Sequence, residues 1–346
     1  MRAARLVQAG WDADLRIDTL DSPPTPVRDE VLVAVEACGV CHRDLIDREG
    51  RFPFLSLPRT PGHEAVGHVI ARGPEATEWA VGDRVATMHR DFCGQCAACR
   101  EGNISLCDQA ASVLGLVIDG GYATHLVSPE RCWYRADPEM SAPGAAMLHC
   151  TYGTAYRALT FAGELRAGQR VLVTGANGGV GHAAIQVAVR LGATVVAVVR
   201  DAQHTPWLRE LGASEVLIDA DGRFHKELDE AVDVVVDCVG EPTLNGSLRS
   251  LKVGGRLVCV GNVVPARFPV NVGYLITYGI SIRGNSGATR ADMAQVIALH
   301  RAQPFAFQVH ACRPLQEADA AQRAVKEGGL RGRIVLTPEE GDSAVR

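Results

Sequence analysis

Residues 171–181 read Val171-Leu-Val-Thr-Gly-Ala-Asn-Gly-Gly-Val-Gly181. A β-branched run, Arg170–Thr174, leads into this turn, and a helical pattern over Val180–Leu191, stopped by Gly192, leaves it. Strand, glycine-rich turn and helix in that order are the context a dinucleotide-binding fingerprint requires. Gly178 lets the backbone approach a pyrophosphate, and Gly181 lets the helix pack close to the strand. Gly179 and Val180 open the helix, whose free N–H groups face the phosphates. Ala176 stands where the first glycine of the fingerprint belongs.

The alternation continues outward from this turn. Apolar strands are expected at Thr194–Val199, Glu215–Ile218, Val232–Asp237, Arg256–Val260 and Ile280–Arg283, with helical stretches between them. Continuous apolar strands separated by helices imply a parallel sheet covered on both faces, a doubly wound α/β domain. Upstream, Ser141 is placed to cap a helix over Ala145–Leu159, with Pro143 in its first turn and Gly163 beyond its end. Before that, the texture is short strands and turns: Val31–Glu36, Ala65–Ala71, Arg84–Met88 and Ala123–Val127. After Ala288 come a helix (Ala291–Arg301), a strand near Phe307–Ala311, another helix and a closing strand, Arg333–Leu336. The reading is three segments: a mainly β domain over 1–148, the dinucleotide domain over 149–288, and 289–346 packing back onto the first.

The second strand of the dinucleotide domain bears on cofactor choice. An NAD site wants an acid at its end, about 20 residues past the fingerprint, for the ribose 2′-hydroxyl. By register that place is Val199, followed by Arg200 and Asp201. A missing acid beside an arginine favours the 2′-phosphate of NADP(H), with Asp201 the residue that would serve NAD(H) if it turned inward.

Length and composition set the frame. A chain of 346 residues, 22% charged with a formal net charge of −5, has the balance of an ordinary globular protein. No block of like charge suggests nucleic acid as a partner, and no stretch has the length of a membrane span or a signal peptide. A cytoplasmic protein acting on a small molecule is the expectation.

Four of the eleven cysteines crowd into Cys93-Gly-Gln-Cys96-Ala-Ala-Cys99-Arg-Glu-Gly-Asn-Ile-Ser-Leu-Cys107. Four thiolates in one loop can close a tetrahedron around Zn²⁺ and leave no open position, which makes a structural site. Iron–sulfur ligation also uses four cysteines, but nothing nearby suggests electron transfer. A second constellation is dispersed: Cys41 in Gly39-Val-Cys-His-Arg-Asp44, and His63 with Glu64 in Pro61-Gly-His-Glu-Ala-Val-Gly67. Catalytic zinc needs three protein ligands and an exchangeable position. Cys41 and His63 supply two, and Cys150, in Leu148-His-Cys-Thr-Tyr152, is the candidate for the third.

These motifs, in this order and over essentially the whole chain, resemble the zinc-containing medium-chain dehydrogenase/reductase family. The resemblance implies a GroES-like catalytic domain, completed by the C-terminal segment, beside a Rossmann domain with the active site in the cleft. It implies two zinc ions per chain and a homodimer or homotetramer. Position by position, Cys41, His63 and Cys150 match the catalytic-zinc ligands, and Glu64 matches a carboxylate that can approach the metal during ligand exchange. Asp44 matches an acid that would hold the His63 imidazole in its ligating tautomer. His42 and Arg333 match residues that reach the cofactor phosphates, and Gly261 and Asn262 lie where backbone meets the nicotinamide.

One position breaks the pattern. Alcohol dehydrogenases of this family carry a Ser or Thr two residues after the first ligand, passing the alcohol proton outward, often to a histidine. Here those places hold Arg43 and Ile46, and Arg43 cannot act as a hydroxyl shuttle. Three functions follow: an alcohol/carbonyl oxidoreductase with another proton route, a zinc-containing reductase of activated double bonds such as acryloyl-coenzyme A reductase, or a dinucleotide-binding scaffold without turnover. Phe52, Phe54, Trp79, His89 and Tyr152 are candidate substrate-pocket aromatics.

Overall fold

The computed structural model describes residues 1–264 and 266–338. They divide into two compact units: Met1–Cys150 with the chain from Val309, and Thr151–Gln308.

The first unit is built on the strand Glu30–Val40, whose Val31, Val33, Ala37 and Val40 are fully buried. Glu64–Arg72 pairs antiparallel with it, Arg84–Thr87 with Glu64–Arg72, and Trp133–Arg135 with Arg84–Thr87. His125–Pro129 covers the first half of Glu30–Val40. On the other half lies the closing strand Arg333–Thr337, itself paired in parallel with Val309–Pro314. The Ile334↔Val40 register makes the C-terminal strand part of this sheet, and Ile334 and Leu336 join its core beside Leu126 and Trp133. Two register shifts along Glu30–Val40 bend the strand. It ends directly at Cys41, which opens the helix His42–Arg48.

The second unit is a six-stranded, all-parallel sheet. Its order is Glu215–Ile218, Thr194–Val199, Arg170–Val173, Val232–Asp237, Leu251–Cys259, Ser281–Gly284. In chain order this is 3-2-1-4-5-6, the doubly wound arrangement that opens a crevice beside the first strand, at the carboxyl ends. Val171–Val173, Val195–Val199 and Val234–Val236 are buried throughout, as the absence of alternation in the sequence requires for strands covered on both faces.

Four details differ from expectation. The helix capped by Ser141, whose Oγ accepts from Gly144 N at 3.3 Å, begins at Ala142 and is not uniform. After Met147 it widens into π-helical turns at His149–Gly153 and Ala158–Ala162, with Gly163 as its cap. The fifth strand of the parallel sheet starts at Leu251, bending at Gly254 and Gly255, a glycine pair that disguises it in sequence. The helix Arg290–Ala302, expected with the C-terminal segment, lies in the second unit, where Asp292 pairs with Arg157 at 3.0 Å. The strand that follows is Val309–Pro314 rather than 307–311. No helix among the described residues is long and apolar enough to cross a membrane.

Candidate active site and metal centres

The four-cysteine loop folds so that Cys93, Cys96, Cys99 and Cys107 bring their Sγ atoms within 4.8 Å of one another. Cys93 and Cys99 stand 4.0 Å apart and Cys96 and Cys107 3.9 Å. Zn–S bonds of about 2.3 Å around a tetrahedral ion put sulfurs about 3.8 Å apart, so the set suits that ion as it stands. The N–H groups of Gln95 (3.3 Å) and Cys96 (3.2 Å) point at Cys93 Sγ and hold its pKa down to about 6, favouring the thiolate a metal needs. Arg90 donates to the Cys107 carbonyl at 2.5 Å, fastening the loop to the body of the unit.

The second set follows from strand pairing. Gly39 lies opposite Glu64 and Val40 opposite Ile334, so Cys41, His63, Glu64 and Arg333 emerge side by side at one end of the sheet. The π-turn carries Cys150 to the same place. Ligand atoms of Cys41, His63, Glu64 and Cys150 all lie within 4.8 Å. Cys41 Sγ to Cys150 Sγ is 3.9 Å and Cys150 Sγ to His63 Nε2 is 3.4 Å, close to the spacing two thiolates and an imidazole take around tetrahedral zinc. His63 Nδ1 faces Asp44 Oδ1 at 2.9 Å, so Nδ1 carries the proton and Nε2 is left to bind. Burial and Arg43 push the imidazole's pKa down, but Asp44 and Cys41 outweigh them and raise it to about 10. The two sulfurs, the imidazole Nε2 and the Glu64 carboxylate form a donor set that suits a divalent cation.

Arg333 has a partner that the sequence did not disclose. Its guanidinium grips the Glu64 carboxylate, with Nε–Oε2 at 3.1 Å and Nη2–Oε1 at 2.8 Å, and Nη2 lies 3.5 Å from Cys41 Sγ. It is buried beside the metal-ready set, because its strand pairs next to Cys41 and a buried guanidinium requires a carboxylate. Glu64 is itself pushed up to about 7 by burial, against the opposing pull of Arg333. Gly39 makes room for it, since a Cβ there would fall 2.2 Å from Glu64 Oε2.

Arg43 is equally committed. Nη2 donates to the Leu114 carbonyl at 2.5 Å, and the guanidinium pairs with Asp47 at 2.9 Å. It clasps the helix His42–Arg48 to the segment following the cysteine loop. His42, the first residue of that helix, is half-exposed. Among the aromatic candidates, His89 stacks 5.5 Å from His149, the neighbour of Cys150; burial, His149 and Arg43 together keep its pKa well below 6.5. Trp79 is a core residue that donates to the Glu130 carbonyl. Phe52 and Phe54 pack on each other, with Phe54 exposed. Tyr152 belongs to the second unit, where its hydroxyl meets His182 Nε2 (3.2 Å) and Gln186 Nε2 (2.9 Å) in the core. It is a packing residue there, not a pocket wall.

In the second unit the glycine-rich turn joins Arg170–Val173 to the helix Gly179–Arg190, capped at Gly178. A Cβ on Gly181 would fall 2.2 Å from the Gly175 carbonyl, so the close helix–strand approach does need glycine there. The left-handed residue of the turn is Gly175 (φ +58), one place before Ala176, which is why alanine is harmless at 176. Val199 is buried and Arg200 exposed. Asp201, rather than turning inward, caps the next turn: its carboxylate accepts from Gln203 N (2.9 Å) and Nε2 (2.8 Å). Short polar side chains prefer that local role where a turn follows. Gly261 packs on the backbone at Cys238, where a Cβ would lie 2.0 Å from the carbonyl oxygen, and Asn262 beside it is exposed.

One organiser of this crevice escaped notice in the sequence. Asp237, fully buried at the end of its strand, accepts from Val239 N, Gly240 N, Thr243 Oγ1 and Ser247 Oγ, the last at 2.6 Å. Its carbonyl accepts from Gly261 N at 3.0 Å, so a single residue ties two crevice loops together. The only sequence signal is an acid closing a β-branched strand before Gly240.

With this geometry in place, comparison with known proteins is direct. The alcohol dehydrogenase GroES-like domain family matches residues 27–138, and the zinc-binding dehydrogenase family matches residues 179–302. An acryloyl-coenzyme A reductase of Metallosphaera sedula is 34% identical over 318 residues, 91% of this chain and 94% of that protein. The crystal structure of AibC superposes with a TM-score of 0.90 at 37% identity, over 98% of this chain and 96% of that one. A solved NAD-dependent alcohol dehydrogenase gives a TM-score of 0.90 at 28% identity, over 98% and 100%.

Proposed function

The chain belongs to the zinc-containing medium-chain dehydrogenase/reductase family, and from that premise we propose that it moves hydride between NADP(H) and an alcohol or carbonyl substrate at Cys41, His63 and Cys150. It is an alcohol-dehydrogenase-like oxidoreductase that uses zinc and a nicotinamide cofactor. The observation carrying the proposal is the convergence of the Cys41, His63, Glu64 and Cys150 donor atoms within 4.8 Å, with Asp44 on the far nitrogen of His63. Zinc held there supplies Lewis acidity toward a substrate oxygen, and the nicotinamide carries the hydride. The chain's own residues do the rest. Cys41 and Cys150 offer thiolates, Asp44 fixes the His63 tautomer, and Arg333 holds Glu64 back as a reserve ligand. Cys93, Cys96, Cys99 and Cys107 hold a second, structural zinc.

NADP(H) is preferred over NAD(H), on the strength of the apolar Val199, the exposed Arg200 and an Asp201 occupied in its own cap. Fluorescence titrations with NADPH and NADH test this, and tighter NADH binding contradicts it. Gly178–Gly181, Gly261 and Asn262 line the proposed cofactor crevice of the second unit, and His42 is proposed as a residue that contacts a cofactor phosphate. A homodimer or homotetramer is proposed, with the edge strand Ser281–Gly284 as its contact. Among the described residues its outer side has no partner strand, and Val253 (75% exposed) and Ile276 (76%), in the preceding strand and helix, are surface apolar residues. Light scattering at micromolar concentration tests this; a monomeric mass overturns it. A cytoplasmic location fits two cysteine sets that must stay reduced.

A second reading has a specific observation behind it. The place of the relay hydroxyl holds Arg43, bound to Leu114 and Asp47. Reduction of a double bond conjugated to a thioester puts the final proton on carbon, so it needs no hydroxyl to serve an oxygen. The resemblance to acryloyl-coenzyme A reductase points the same way. Cofactor consumption by purified enzyme with alcohols, aldehydes and enoyl thioesters decides between the readings. Turnover of alcohols or aldehydes supports the first and turnover of enoyl thioesters alone the second. Silence across the panel, with both zincs bound, means a scaffold.

A further inference from the structure

Asp44 is fully buried and accepts three hydrogen bonds: His63 Nδ1 to Oδ1, Cys41 N to Oδ2 and Tyr122 Oη to Oδ2, each at 2.9 Å. Tyr122, also fully buried, meets the His63 segment a second time. Its N–H donates to the Pro61 carbonyl at 3.0 Å. Its ring fills the space beside Gly62, where a Cβ would lie 2.3 Å from Cδ1 and where φ is +97. Hydroxyl and ring thus constrain His63 from both sides: one holds the carboxylate that orients the imidazole, the other shapes the main chain entering it.

The contact does not stop at Tyr122. The buried Gln322 lies against its phenol, and Gln322 Oε1 accepts from Arg48 Nη1 at 3.1 Å. Arg48, fully buried, pairs with Asp319 at 2.7 Å and donates to the carbonyls of Gly10 and Ala13. Buried polar side chains therefore follow one another from His63 toward the C-terminal helix Ala318–Glu327 and the N-terminal segment, with Gln322 Nε2 making no hydrogen bond among the described residues.

We infer that Tyr122 is a positioning residue for the metal centre, fixing through Asp44 and Gly62 the direction in which His63 Nε2 meets Cys41 and Cys150. The inference rests on reading that set as the catalytic zinc site. Tyr122→Phe keeps the ring, the packing and the backbone contact, and removes only the hydroxyl. Release of one of the two zincs to a chelator is expected to accelerate about tenfold, and the visible bands of the cobalt(II)-substituted site are expected to shift. Release of the other zinc should stay as in the wild type, and the thermal midpoint should move by less than about 4 °C. Gln322→Leu, which leaves the phenol on Asp44, should have the smaller effect. An unchanged release rate and cobalt spectrum in Tyr122→Phe overturns the inference. So does equal acceleration of both zincs with a large fall in melting temperature, which marks a merely structural tyrosine. Failure of the underlying reading looks different: wild type and Cys150→Ser would then hold the same number of zinc ions, and the inference falls with it.

Discussion

Arg43 shows how far a single residue can change meaning between sequence and structure. In the sequence it is the wrong group at a relay position, and replacing it by serine looks like a test of function alone. In the fold it holds the Leu114 carbonyl and the buried Asp47, whose Oδ1 has no hydrogen-bond partner among the described residues. Arg43→Ser is therefore expected to cost roughly 1–3 kcal/mol, because it strands a buried carboxylate. Burial lifts Asp47 to about 6 while Arg43 pulls it down, so the folded chain holds that proton above the unfolded value of about 4. The stabilisation from protonated Asp47 is then complete below about pH 4 and is lost as pH rises through 6. Without Arg43 the carboxyl rises further, and the deficit should be larger at pH 8 than at pH 5. Urea midpoints of wild type and variant at both pH values check this; an equal deficit contradicts it.

Among the elements, the glycine-rich turn separates required glycines from incidental ones. Gly181 has the Gly175 carbonyl 2.2 Å from where a Cβ would stand, whereas Ala176 already carries one in the buried turn. Gly181→Ala is expected to destabilise by about 1–3 kcal/mol through overpacking and to weaken NADPH binding more than about tenfold. Ala176→Gly should leave binding within about twofold, since the left-handed residue is Gly175. Melting curves and fluorescence titrations measure both, and equal effects at the two positions would contradict the assignment. Elements whose signals are local were legible: the turn, the apolar parallel strands, the Ser141 cap and the four-cysteine loop. The π-turn carrying Cys150 was not, because packing and not composition widens a helix. The Asp237 clasp stayed hidden for a related reason, since an acid closing a strand reads as a solvated end until its four donors are seen.

At the scale of the molecule, what the sequence left open was long-range register. Residues 38–40 meet 334–336, almost 300 positions apart, and only that pairing puts Arg333 on Glu64. Cys41, His63 and Cys150 could be grouped beforehand because their motifs resemble those of a known family; spacing alone would not have joined them. Two metal sites of different character are therefore proposed, one closed by four thiolates and one open. Cys107→Ser should therefore lower thermal stability and loosen the loop that Arg90 fastens, whereas Cys150→Ser should abolish turnover with little loss of fold. Calorimetry beside activity checks that division, and the reverse pattern would contradict it.

The most direct test is the zinc content per chain of wild type, Cys150→Ser and Cys107→Ser, measured on the same preparations as nicotinamide turnover. The account expects two zinc ions in the wild type and one in each variant. The zinc lost with Cys150 should take activity down by more than about a hundredfold. A Cys150→Ser protein that keeps both zincs, or keeps its turnover, would contradict it.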